Sequence, residues 1–160
     1  MFDDLLRIRE FRETSAANEV ARVRRVVAEK QQAVRDAEAA VQDYREYRLA
    51  EETRLFAAIR GARVRLRKLE DMKQSIALMR DHELKLEEAV GQAKKALEEA
   101  VEELQRAVDA YHEAQKSLRK FEEFVAAQKD MEHKAAERKE EAEVEEVSEA
   151  TYAARMRGTD

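Results

Sequence analysis

The chain has 160 residues, 42% of them charged and 6% aromatic, with no proline and no cysteine. That composition does not suit a compact globule, and it excludes disulfides, thiolate nucleophiles and thiolate metal sites. Lys and Arg number 31 against 36 Asp and Glu, a net charge of −5, so no global field draws the chain to nucleic acid or an anionic membrane. What remains is long helix: proline is the residue a helix interior rejects, and Ala, Glu, Lys, Arg, Leu and Gln are those it favours. No apolar run approaches the ~18 residues of a membrane span and no signal-like N-terminus is present, which predicts a soluble cytoplasmic chain.

At the N-terminus, Phe2, Leu5, Leu6, Ile8 and Phe11 supply apolar contacts, and the pattern loosens around "ETSAAN" (Glu13 to Asn18). From Val20 onward, steps of three and four land on Val23, Val27, Lys30, Val34, Ala37, Val41, Tyr44, Arg48, Glu51, Leu55 and Ala58, a mostly apolar coiled-coil seam. Gly61 then lies where the seam is weakest, since Arg65 follows Ala62 at the next seam positions. A second seam runs through Leu69, Met72, Ile76, Met79, Glu83, Leu86, Val90, Ala93, Leu97, Ala100, Leu104, Ala107, Tyr111, Ala114, Leu118, Phe121 and Val125. Only Glu83 in that series is polar. Gly91 sits inside this unbroken pattern, so a turn there would waste it. Beyond Gln128 the periodicity fades into "ERKEEAEVEEVSE", a solvated or fraying acidic helix, and "RMRGTD" reads as a loose terminus.

A turn at Gly61 that sets Val20 against Ala100, Val27 against Ala93, Val34 against Leu86, Val41 against Met79 and Tyr44 against Ile76 gives every seam position from 20 to 58 a seam partner. The fold expected is therefore all-α, one long antiparallel two-helix coiled-coil hairpin over 1–160. Its first helix covers about 3–58, its turn about 59–63 and its longer second helix about 64–145, followed by a loose C-terminal tail. A continuous rod dimerised along its seam stays open, because the phase also runs through Gly61 and a helical glycine costs only about 1 kcal/mol.

Within the seams, "DYREYRLAEETRLF" (43–56) and "KLEDMKQSIALMRDHE" (68–83) place tyrosines, an arginine and glutamates where aliphatic residues are the norm. This pair of segments resembles the YscO family, the central stalk proteins of type III secretion export machines, which are similar to flagellar FliJ and to the gamma stalk of rotary ATPases. The order Asp43, Tyr44, Arg48, Glu51, Glu52, Arg54, Leu55, Phe56 carries the likeness, which is best over about 41–86. Tyr47 follows Tyr44 by three residues, where the flagellar relative has four. The resemblance implies a stalk that enters a hexameric secretion ATPase, contacts the cytoplasmic ring of the export gate, and holds and releases substrate chaperones. It also implies residence at the inner-membrane base of the apparatus, a monomer when isolated, and export of some members themselves. Carried over by position, the partner-binding residues are Val41, Tyr44, Tyr47, Arg48, Met72, Ile76, Met79 and Glu83.

Simpler roles stand beside these. Tyr44 and Tyr47 suit seam packing, with rings inside and hydroxyls at the rim, as well as they suit partner contact. Arg48 and Glu51 suit seam polars that fix register and orientation. The basic run Arg60, Arg63, Arg65, Arg67 and Lys68 suits a solvated turn or an acidic protein surface better than nucleic acid, for aromatics are not interleaved with it. His133 and Glu137 share a helix face, but two ligands without a third do not define a metal site. No nucleophile–base pair, phosphate loop or pocket is legible, so no catalysis and no cofactor is expected, and any ATP hydrolysis would belong to a partner. Direct membrane insertion is not expected, since no face pairs a basic stripe with exposed bulky apolar residues. A homodimeric coiled-coil tether, in which length alone matters, is the alternative to the secretion reading.

Overall fold

The structure is a computed structural model that describes residues 2–61, 63 and 65–158. It contains two helices, α1 (Phe2–Ile59, 58 residues) and α2 (Leu66–Arg157, 92 residues), folded on each other as a hairpin. The chain reversal rules out the single continuous rod. Asp3 and Asp4 in the first turn of α1 complement the positive end of its dipole. The helix stops at Arg60, whose amide donates to the Phe56 carbonyl at 3.2 Å, and Gly61 follows at φ +76°. That left-handed conformation is open to glycine and costly for a residue with a Cβ, so Gly61 ends α1 as the sequence predicts. Ala62, on the weak stretch of the seam, lies outside the described residues.

On the far side of the turn, the Arg65 carbonyl accepts from the amides of Lys68 (3.0 Å) and Leu69 (3.3 Å) to open α2. The connection thus runs from 60 to 65 rather than 59 to 63, and this moves the register of the whole hairpin. Tyr44 faces His82 instead of Ile76, with ring centroids 4.5 Å apart, and Arg22 reaches Glu103 at 3.1 Å. A pairing rule built on a tighter turn fails because each residue added to the connection slides one helix along the other.

Contacts group the chain into two units. The unit of Ala16–Ala110 holds the turn and the seam of Val20, Val23, Val27 and Val41, each at most 9% exposed, with Ala100 and Ala107 buried on α2. Val23 is fully buried. Valine on α1 and alternating alanine and leucine on α2 let branched side chains fill the spaces that small ones leave. The seam from Leu69 to Val125 holds throughout, every position being buried or half-buried. On α1 the phase slips by one residue after Arg48. Glu52 is buried and Ile59 half-buried, while Glu51 and Leu55 of the expected seam are half-buried and Ala58, like Lys30, is exposed.

In the other unit, formed by the described residues before Ala16 and after Ala110, the Phe2 ring meets Phe121 at 6.4 Å and Phe124 at 5.5 Å. Arg9 lies 4.9 Å over the Phe121 ring and donates to the Ser117 hydroxyl, while Gln115 donates to the Tyr111 hydroxyl at 2.8 Å. Half-buried Leu6, Arg9 and Glu13 carry the α1 seam here. Leu5, Ile8 and Phe11, expected to help, are 45%, 48% and 73% exposed. Steps of three residues rotate each side chain about 60° further off the face, so that series winds away from α2. From 129 to 157 the helix is exposed on every side. It still runs past the boundary expected near 145, supported by the pairs Asp130–Lys134 and His133–Glu137, both at 3.2 Å, and by Arg155 and Arg157 at its negative end.

Candidate partner-binding site

A ladder of charges is built into the seam of the turn-bearing unit. Arg45, on α1, donates to Glu83 at 2.7 Å and to Glu87 at 2.6 Å, both on α2. Arg48 donates to the other oxygen of Glu83 and, at 3.1 Å, to Glu52. Arg80 of α2 returns to the same Glu52 oxygen at 3.2 Å. Three guanidiniums therefore meet three carboxylates, and no buried side-chain polar atom among the described residues lacks a partner. Glu52 and Glu83 are each 8% exposed, a position that an unpaired charge would not tolerate. Hydrogen bonding from Arg45, opposed by burial and joined by Arg48, holds the Glu83 carboxyl below its ordinary value. Burial pushes Glu52 up, but hydrogen bonds from Arg80 and Arg48 outweigh it and leave that carboxyl lowered as well.

The ladder specifies register. Sliding α2 by one heptad would bring Ile76 or Val90 to the place of Glu83 and leave Arg48 without its carboxylate across the seam. Removing one partner of a buried pair is strongly destabilising, whereas the intact pair adds little net stability, so the network acts mainly by penalising wrong alignments.

Over one flank of this network lies an aromatic group. The Tyr44 ring is half-buried and touches both His82 (4.5 Å) and Tyr47 (5.6 Å). Burial raises the Tyr44 phenol above its ordinary value, with the nearby Tyr47 and Glu83 contributing. Tyr47 is 56% exposed, and Leu78, one turn before His82, is 63% exposed. The flank thus offers rings and an aliphatic side chain to solvent, with a fully paired layer beneath.

The residues expected at the site divide accordingly. Tyr44, Tyr47, Arg48 and Glu83 come together in this group, and Val41 is buried in the seam one turn from Arg45. Met72, Ile76 and Met79 are half-buried on α2, on the turn side of Glu83. Arg45, Glu52, Arg80, His82 and Glu87 belong to the group but were not among the residues expected there. Only Glu52 had a local signal, its spacing of four from Arg48, because the others are set by the cross-helix register.

At the turn, Phe56 and Leu66 are 53% and 72% exposed beside the basic run. The expectation concerned a single helix face, and this combination is not on one. A helical face alone does not reveal the combination, since the residues come from the end of one helix, the connection and the start of the next. No helix among the described residues is long and apolar enough to cross a membrane.

Fold and seam together define an antiparallel coiled-coil hairpin protein, held in a single register by buried ion pairs. The sequence model of the family described as Type III secretion protein YscO matches residues 2–150. The chain belongs to that family. A crystal structure of the YscO type III secretion protein from Vibrio parahaemolyticus is similar to it at 32% sequence identity, with a TM-score of 0.85 over 91% of this chain and 92% of that chain. No curated protein matches.

Proposed function

We propose that this chain is the central stalk of a type III secretion export apparatus, joining a hexameric ATPase to the cytoplasmic ring of the export gate and handling substrate chaperones. The observation that carries the reading is the solvent-open group of Tyr44, Tyr47 and His82 over the ion-paired seam. Rigid aromatic side chains on a fixed support bury much area at little cost in conformational entropy, which is what a contact surface needs. Family membership supplies the secretion context, and the hairpin supplies a paired helix that needs no second copy to cover its seam. The stalk acts by contact: it positions partners and carries no reacting group of its own. In this reading the protein works in the bacterial cytoplasm at the inner-membrane base of the apparatus and is monomeric when isolated.

The test is an export assay with Tyr44→Ala and Tyr47→Ala combined, beside circular dichroism of the purified variant. Export should fall while helicity stays near the parent's, because Tyr47 is exposed and Tyr44 lies at the rim. Full export with the folded double variant would refute the reading.

A further inference from the structure

Five cations, Arg60, Arg63, Arg65, Arg67 and Lys68, lie within nine residues of the turn, with no acidic residue among them. All five are exposed, and none forms an ion pair among the described residues, so no carboxylate of those residues screens this run. Their placement also opposes stability. The first turn of α2 has no acidic residue and carries Arg67 and Lys68, so like charges gather on the positive end of a 92-residue helix dipole. The residue that opens α2 is Arg65, which is not among the types whose short side chains cap a helix. Five neighbouring cations at a helix start with no acidic residue among them oppose stability locally, and such departures concentrate where a partner provides the compensation.

Two apolar side chains narrow the class of that partner. Phe56, whose carbonyl accepts the last amide of the α1 end, and Leu66, the first residue of α2, flank the cations and stand 53% and 72% exposed. Cations with adjoining bulky apolar groups are the surface chemistry of the water–lipid boundary, where guanidiniums meet phosphates and the apolar groups enter the acyl edge. We propose that the turn is an end-on contact for an anionic lipid surface, the cations held by headgroup phosphates and Phe56 and Leu66 dipping between them. Because the whole chain carries −5, only this end is attracted and the acidic remainder is repelled. The contact is peripheral and goes beyond the stalk reading, which places partner contact on the Tyr44 flank.

The test is co-sedimentation of the full chain with vesicles of phosphatidylcholine alone and of phosphatidylcholine mixed with phosphatidylglycerol, across a salt series. The chain should sediment with the mixed vesicles at low salt, and not with phosphatidylcholine alone. Arg63→Gln with Arg65→Gln should lower partitioning about 25-fold, at roughly fivefold for each cation near the surface. Phe56→Ser with Leu66→Ser should also weaken it, with helicity checked by circular dichroism for both variants. No binding to the mixed vesicles would overturn the proposal, as would binding unchanged by the arginine substitutions. Binding that ignores the Phe56 and Leu66 substitutions, or a preference for soluble polyglutamate over vesicles, would overturn it in favour of an acidic protein surface.

Discussion

Two glycines in different backbone states allow the hairpin to be tested without touching a side-chain contact. Gly91 lies inside α2, exposed, and a Cβ there would meet nothing within 4 Å. Alanine is favoured over glycine in a helix by about 1 kcal/mol, so Gly91→Ala should stabilise by roughly that amount. Gly61 is equally open, but its φ of +76° is the left-handed conformation that costs a residue with a Cβ about 1–2 kcal/mol. The stiffer unfolded chain returns about 0.4–1 kcal/mol, leaving Gly61→Ala destabilised by roughly 0.5–1 kcal/mol. At about 2–4 °C per kcal/mol for a chain of this size, the two melting temperatures should separate by roughly 3–8 °C and bracket the parent's. Thermal melts followed by far-UV circular dichroism at several protein concentrations suffice. If Gly61→Ala raised the melting temperature as Gly91→Ala does, residue 61 would be helical in solution and the chain reversal would be wrong. A melting temperature that climbed with concentration would instead favour a dimeric tether.

Other perturbations bear on the seam and its charges. Val23→Ala removes two methyl groups from a fully buried site, worth about 1.6 kcal/mol before any cavity cost, and should lower the melting temperature by at least roughly 3–6 °C; no change would mean the seam is not packed there. The lowered carboxyls of Glu52 and Glu83 contribute stability that is present above their ordinary value of 4.5 and lost as the pH falls below it through the folded values. Melting temperature should therefore fall as the pH drops from about 5 towards 3, and Glu83→Gln should flatten that slope; an unchanged slope would show that the ladder is not formed.

Legibility in the sequence followed the range of the interaction. The α2 seam could be read from Leu69 to Val125 because its spacing is local, a property of one helix and its apolar face. So could Gly61, since a single backbone requirement selects that residue. The register could not, for it depends on where α1 stops and α2 starts, and the connection over 60–65 is longer than the residues suggested. With the register went Arg45, Arg80, His82 and Glu87, which meet their partners only across the hairpin. Leu5, Ile8 and Phe11 looked like core because they are apolar, yet their three-residue spacing carries them around the helix. The segment after 128 was legible as a solvated acidic helix to about 145 but not on to Arg157, because its order comes from propensity and i,i+4 pairs without any apolar seam.

In the proposed function, the tyrosine-bearing flank touches the export gate. A photo-crosslinking amino acid placed at Tyr47, whose side chain is open to solvent, reports that contact directly in secreting cells. If the proposal holds, an adduct forms with the cytoplasmic domain of the gate ring and is absent when secretion machinery is not assembled. An adduct with a second copy of this chain, or none in cells that export normally, would contradict it.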